Sequence, residues 1–185
     1  MAKLSAISAS NEKENDNRTN DWAFCYHLPM LRLILTLVLI LPISAAMADV
    51  TGMARVVDGD TIWIGNKKIR LWAIDAPETK QECHRNEIPW ICGVASTEHL
   101  KLFIANKSVT CEDRGKDRYK RLIGKCRVGS LDIGAEMIEA GMAMPYWKYG
   151  GDYYMQVFLE ARGQGIGMFA GTYMPPWEWR RRRRI

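Results

Sequence analysis

From Val50 onward, apolar and polar positions alternate with the period of a strand, and the alternation stops at turn residues. Val50 to Val57 reads as a first strand ending at Asp58-Gly59-Asp60, and Thr61-Ile62-Trp63-Ile64 as a second. Gly65-Asn66 is a two-residue hairpin signal, and Lys67 to Ile74, rich in β-branched and aromatic residues, is a third strand. Ala76-Pro77 ends it, because the residue before a proline is held extended. Residues 80–91 read as an irregular loop. The period then changes. Val94, Leu100, Phe103 and Ile104 fall on one face at helical spacing, predicting a helix over 93–105. Ser108 to Glu112 is a strand, Asp113 to Lys120 a polar loop, and Arg121 to Val128 the returning strand. Leu131 to Ala140 is a second helix, with Gly141 as its C′ stop. A third runs from a capping Asp152 to about Arg162, with Tyr154, Val157, Phe158 and Ala161 as its core stripe. Three strands, a helix, a strand pair and further helices predict an α+β fold: a small β-barrel of the OB type with about three packed helices.

The first 48 residues break this pattern. Residues 1–29 are polar and read as a disordered extension or a mis-assigned start. Met30-Leu31-Arg32, the apolar run Leu33–Ile43 and Ser44-Ala45-Ala46-Met47-Ala48 together have the form of a signal peptide over 30–48. The run is short for a bilayer span, so cleavage before Asp49 is expected. An uncleaved membrane anchor is the alternative. The expected organisation is then a folded domain over 49–179 and a basic tail over 180–185. Its place is the periplasm or the exterior, with a membrane as partner only if the segment is retained.

Cysteine usage agrees with export. Beyond Cys25, four cysteines remain: Cys83, Cys92, Cys111 and Cys126. An even number in an exported domain points to disulfides, and four cysteines allow three pairings. Cys83–Cys92 closes a short loop, while Cys111 and Cys126 stand at matching ends of two predicted strands. A metal site is the rival, but no Cys-x-x-Cys spacing occurs and His84 and His99 are poorly placed to complete one.

The 185 residues carry a net charge of +5 and a 48% hydrophobic share, enough for one core and mildly favourable to a polyanionic partner. Charge alone decides little. The informative stretch is Val57-Asp58-Gly59-Asp60-Thr61 followed by Arg70-Leu71-Trp72-Ala73-Ile74-Asp75-Ala76-Pro77-Glu78-Thr79. Crowded carboxylates repel unless a cation lies between them. A neighbouring arginine fits phosphate oxygens with its planar fork. Plainer readings exist for each piece. Asp-Gly-Asp is a common turn, Glu78 after proline suits a turn cap, and Arg70 and Arg121 suit structural ion pairs. Trp63, Trp72 and Trp90 read as packing residues, and the Arg180–Arg184 run as a solvated tail.

In order and spacing, Val57-Asp58-Gly59-Asp60-Thr61, Ile69-Arg70-Leu71 with Asp75-Ala76-Pro77-Glu78-Thr79, and Asp117-Arg118-Tyr119-Lys120-Arg121 resemble the staphylococcal nuclease family. The resemblance runs from about Arg55 to Trp179 and is nearest to exported, cysteine-bearing bacterial members. It implies an OB barrel with helices and hydrolysis of phosphodiester bonds in DNA and RNA that leaves 3′-phosphate ends. It implies Ca2+ held by Asp60, Asp75 and the carbonyl of Ala76, with Asp58 nearby acting through water. Arg70, Glu78 and Arg121 match catalytic positions; Arg118 and Tyr119 match contacts to a terminal phosphate. Tyr146 or Tyr149 matches a tyrosine of the substrate pocket, with Tyr146 the one expected to contact substrate. Ala76 stands where threonine is common, Lys120 where glycine is common, and Gly165-Ile166-Gly167-Met168 departs from a usual Gly-Ile-Trp. A monomer without an obligate protein partner is expected. The alternative function is a non-catalytic OB-fold module that binds nucleic acid without cutting it.

Arg70 and Asp75 are an odd number of residues apart, so on a regular strand they face opposite sides. They share a site only if the chain bulges or turns near Ile74-Asp75.

Overall fold

The computed structural model describes residues 49–183. The 1–29 extension, the 30–48 leader, Cys25 and the end of the basic tail lie outside the described residues. Strands β1 (Val50–Asp58), β2 (Thr61–Ile64) and β3 (Lys67–Leu71) form a meander. Gly65, at φ 57°, turns the β2–β3 hairpin as its sequence requires. After the short β4 (Ile74–Asp75) and a small hairpin, β5 (Cys83–Arg85) and β6 (Ile88–Trp90), comes α1 (Cys92–Ile104). Then follow β7 (Ser108–Lys116), β8 (Leu122–Val128), β9 (Leu131–Asp132), α2 (Ile133–Glu139), β10 (Met144–Pro145), α3 (Met155–Gly163) and α4 (Pro176–Arg182).

The sheet order is β3-β2-β1-β7-β8-β9, and β3 also pairs in parallel with β8. That parallel pairing closes β1, β2, β3, β7 and β8 into a five-stranded mixed barrel, removing the exposed edges of an open sheet. Its register sets Arg70 opposite Ile123, two residues past Arg121. Barrel closure therefore brings the β3 arginine and the β7–β8 turn to one end. The fold class is the α+β OB barrel expected of the sequence, with four α-helices among the described residues where about three were expected.

The core is aliphatic. Ile62, Ile69, Val109, Leu100, Ile133 and Ile138 have no exposed surface and join the barrel to α1 and α2. The inward stripe of α1 is Cys92, Ser96, Leu100 and Ile104; Val94, expected on that face, is 46% exposed. α2 begins one residue after Asp132, whose carboxylate accepts from the amides of Gly134 and Ala135, and ends before Gly141 at φ 64°. The Tyr154 hydroxyl donates to the same Asp132 carboxylate at 2.9 Å. Tyr154, Phe158 and Ala161 are buried and Val157 partly so, as the stripe predicts. Asp152, however, makes no capping bond; a 3₁₀ turn (Gly151–Tyr154) leads into α3 instead. The 80–91 stretch is also more ordered than a loop, because β5 and β6 pair Cys83 with Trp90.

Two disulfides form, Cys83–Cys92 and Cys111–Cys126. The first fastens β5 to the start of α1. The second joins directly opposed residues of β7 and β8. By loop-closure entropy, a 15-residue separation stabilises the fold by about 3 kcal/mol. Replacing Cys111 and Cys126 together by alanine is expected to lower the melting temperature by about 10 °C. A calorimetric scan showing no decrease overturns that assignment of stability.

Candidate functional site

The site begins with a break in a strand. β3 ends at Leu71, Ala73 adopts the left-handed region at φ 61°, and β4 resumes at Ile74. Left-handed backbone costs a non-glycine residue roughly 1–2 kcal/mol, and surrounding bonds hold it there. The Ala73 carbonyl accepts from the Tyr146 amide at 2.8 Å, and β4 pairs with β10 through Met144 and Asp75. The break resolves the odd spacing: Arg70 and Asp75 now meet, Nη2 to Oδ1 at 2.6 Å.

A second fixed point is Asp58-Gly59-Asp60. The Asp60 amide donates to Asp58 Oδ1 at 3.1 Å, and the Asp60 carbonyl accepts from the Leu71 amide at 2.8 Å. The Thr61 hydroxyl donates to Asp60 Oδ1 at 2.9 Å. Gly59 is required by space: a Cβ there runs into the Ser96 hydroxyl of α1 and comes within 2.7 Å of the Ala76 Cβ. Likewise a Cβ on Gly93 collides with the Glu78 carbonyl. α1 therefore presses both acidic segments into place.

These segments line one cavity of about 540 Å³. Asp58, Asp60, Ala76 and Glu78 form one wall; Arg118, Tyr119, Arg121 and Lys116 from the β7–β8 turn form another. Tyr146, Lys148 and Tyr149 complete the rim. Asp75 lies behind the acidic wall with no exposed surface and reaches the cavity through the guanidinium groups bound to it. The two pocket tyrosines both line the cavity, and Tyr146 is the one under Arg70, with the guanidinium carbon 5.9 Å from its ring centre.

Arg70 bridges Asp60 Oδ2 at 2.9 Å and Asp75 Oδ1 at 2.6 Å. Arg121 is held apart from them by Asp117: its Nε donates to Oδ2 at 2.7 Å, while the amides of Tyr119 and Arg121 both donate to Oδ1 at 2.9 Å. This Asp-anchored turn places Lys120 at φ 63°, the conformation in which glycine is at ease. Burial works to raise the Asp117 carboxyl, but the Arg121 hydrogen bond and the two amides hold it below the ordinary value.

Sequence reasoning missed two residues. Gln81 is fully buried; its Oε1 accepts from the Glu78 amide at 3.3 Å and its Nε2 donates to the Met174 carbonyl at 2.7 Å. It ties the Glu78 loop to the C-terminal segment. Arg180, assigned to a solvated tail, enters the site instead. Its Nη1 donates to Asp75 Oδ1 at 3.0 Å and Glu78 Oε1 at 2.8 Å, and its Nη2 to Asp75 Oδ2 at 2.7 Å. Arg181, Arg182 and Arg183 remain exposed.

The electrostatics follow from burial. Desolvation pushes Asp75 upward and Asp60 adds to it, while Arg180 and Arg70 pull it back. Burial works against the charge on Arg70 and Arg180, yet the adjoining carboxylates raise both above the ordinary guanidinium value. Asp58 has no arginine, and burial together with the Asp60 charge pushes it up to about 6.

The donor set is all oxygen. Asp60, Asp75 and the Ala76 carbonyl offer hard ligands without a cysteine or histidine, which suits a calcium-sized cation. Among the described residues, no three histidine, cysteine or acidic side chains are drawn into a ready cage. The guanidinium groups of Arg70 and Arg180 lie between the carboxylates, Arg70 joining Asp60 to Asp75 and Arg180 joining Asp75 to Glu78.

A closed five-stranded barrel with an acidic and basic cleft at one end defines an OB-barrel protein with a site suited to a phosphate-bearing ligand. Residues 68–170 match the family model described as staphylococcal nuclease homologue. The chain is 37% identical over 144 residues to an uncharacterized endonuclease of Escherichia coli O157:H7, covering 74% of this chain and 88% of that one. It is 34% identical over 163 residues to an uncharacterized endonuclease of Haemophilus influenzae, covering 83% and 86%. It is also 33% identical over 129 residues to the succinoglycan biosynthesis protein ExoI of Rhizobium meliloti, covering 68% of each. The chain belongs to the staphylococcal nuclease family. Asp58, Asp60 and Arg180 lie outside the matched span, at its two flanks.

The raised Asp58 value fixes a sign for pH dependence. Its folded value of about 6 exceeds the unfolded carboxylate value of about 3.9. The folded state therefore binds the proton more tightly, and the stability contributed by this group falls as pH rises from about 4 through about 6. In chelator, Asp58→Asn is expected to remove that fall, read as the urea midpoint at pH 4.5 and pH 7 in both proteins. Equal pH slopes in wild type and variant contradict it.

Proposed function

We propose that this nuclease is a calcium-dependent endonuclease that hydrolyses phosphodiester bonds in DNA and RNA and leaves 3′-phosphate ends. The observation that carries the reading is the placement of Glu78. Its side chain is 37% exposed at the cavity, while that of Asp75 beside it is fully buried. Glu78 reaches the cavity surface, while Asp60 and Asp75 are recessed in the wall.

Each role follows from position. Asp60 and Asp75, with the Ala76 carbonyl, would hold Ca2+, which would supply positive charge against the phosphodiester and fix the phosphate. Glu78 takes the proton from the attacking water. Arg70, above Tyr146, and Arg121, fixed by Asp117, donate N–H groups to the phosphate oxygens and stabilise charge developing at phosphorus. Both arginines stay cationic near neutrality, so they act electrostatically and not as proton donors. Arg118 and Tyr119, on the exposed tip of the β7–β8 turn, receive a terminal phosphate, and Tyr146 supports the substrate from the rim.

The two disulfides point to an oxidising compartment. Among the described residues, no helix is long and apolar enough to cross a membrane. The disulfides favour a periplasmic or secreted protein; on our reading it is formed by removal of a 30–48 leader, carries its nuclease domain over 49–179 and works as a monomer.

Cleavage of single-stranded DNA and RNA is expected with calcium and absent with chelator. Glu78→Gln is expected to lower kcat about 10²- to 10⁴-fold with little change in substrate binding. End-labelled products should carry 3′-phosphates. A folded protein that binds DNA and leaves it intact under all these conditions overturns the proposal in favour of a binding module.

A further inference from the structure

Arg180 comes from the last described helix, after the span that matches the family. Its approach to the site is built into the chain. Backbone bonds between His84 and Thr172, at 2.9 and 3.0 Å, fasten the segment to β5. Gln81 holds the Met174 carbonyl, and Pro175-Pro176 stiffen the entry to α4. Trp177 lies flat on Tyr146, ring centres 5.9 Å apart and planes 7° from parallel. From this footing, Arg180 forks onto both oxygens of Asp75 and reaches Glu78 with the same Nη1. Arg70 takes a second position on Asp75 Oδ1.

We propose that Arg180 is a built-in competitor of the divalent cation: α4 docks its guanidinium on Asp75 and Glu78, and cation binding requires α4 to let go. The inference rests on the calcium reading above. A calcium ion needs carboxylate oxygens at roughly 2.3–2.6 Å. Arg180 N–H groups stand 2.7 and 3.0 Å from the two Asp75 oxygens. Two cations on the same oxygens repel at close range with little water between them to screen it. Docked Arg180 also ties up Glu78, the group assigned to the attacking water. The competent state is then the one with the strap released, and the apparent calcium affinity is lowered by the fraction of molecules in that state. A strap docked nine-tenths of the time weakens calcium about tenfold.

The test uses the purified protein as wild type, Arg180→Gln and Arg180→Lys, with melting curves to confirm that each is folded. Calcium binding is followed by calorimetry, and backbone hydrogen exchange of residues 176–182 is followed in chelator and in calcium. Expected are a calcium Kd about tenfold or more lower in Arg180→Gln, and an intermediate value for Arg180→Lys, which keeps the charge and loses the fork. In wild type, α4 amides are expected to be protected in chelator and to exchange faster in calcium; in Arg180→Gln they exchange fast in both. Unchanged or weaker calcium binding in Arg180→Gln overturns the competition. So does α4 that stays equally protected in calcium-saturated wild type, since loss of one charge can shift affinity without any strap moving. If no protein binds calcium while α4 protection still depends on Arg180, the calcium reading has failed and the competition fails with it.

Discussion

A carboxylate with no solvent exposure needs its charge answered from within the protein, and Asp75 is that carboxylate here. An isolated buried charge is expensive, so its neighbours are fixed by necessity. Arg70 answers from β3 and Arg180 from α4, with four N–H contacts of 2.6 to 3.0 Å in this cluster falling on Asp75 or Glu78. Both guanidinium groups bridge outward, one to Asp60 and one to Glu78. A single buried acid therefore organises the acidic wall, and the same arrangement makes the site a place where one cation is exchanged for another. In the proposed chemistry, the recessed acids hold charge while the exposed Glu78 handles the proton.

Burying Asp75 beside Arg70 demands local distortion. A continuous strand from Lys67 to Ile74 sends the two side chains to opposite faces. The chain escapes this by ending β3 at Leu71 and turning at Ala73, with the strain held by the Tyr146 amide and by β10. Closure of the barrel contributes equally. Because β8 runs parallel to β3, the β7–β8 turn arrives at the end of the barrel where Arg70 emerges. The small residues Gly59 and Gly93 then allow α1 to lie close against both acidic segments. The site is thus a product of barrel topology and tight packing, and its loops have little freedom to be elsewhere.

Much of this was legible from the chain. The period-two alternation, the Gly65-Asn66 turn and the Gly141 stop are local signals, and the structure agrees with them because local backbone chemistry decides them. The cysteine pairing was left open by counting alone; strand register resolves it by placing Cys111 opposite Cys126. The acidic and basic motifs converge on one cavity, although their spacing could only warn that a turn was needed. Arg180 was illegible for a physical reason. It sits 105 residues from Asp75 in a run of identical arginines, and nothing in the run marks which one points inward. Its position follows from anchors far away in sequence, such as Trp177 on Tyr146 and Gln81 on Met174. Gln81 was hidden similarly, since a lone glutamine in a loop-like stretch has no pattern to announce burial.

The compartment and the strap are consistent with each other. Calcium sensors of the cell interior bind at about 10⁻⁷–10⁻⁵ M, while extracellular modules bind at about 10⁻⁴–10⁻³ M. A competing guanidinium moves affinity toward the weaker range without altering a ligand, so the metal carboxylates can remain fully buried and well ordered. The two disulfides point to the same oxidising surroundings in which weak calcium sites are filled. With few free cations about, Asp75 and Glu78 are neutralised by the chain itself and the fold is spared a cluster of unpaired acids. In the proposed scheme, abundant calcium would replace the strap and leave Glu78 available to water. On this reading, one arginine reconciles two demands that otherwise conflict: stable burial of charge when the metal is absent, and an open acidic site when it is present.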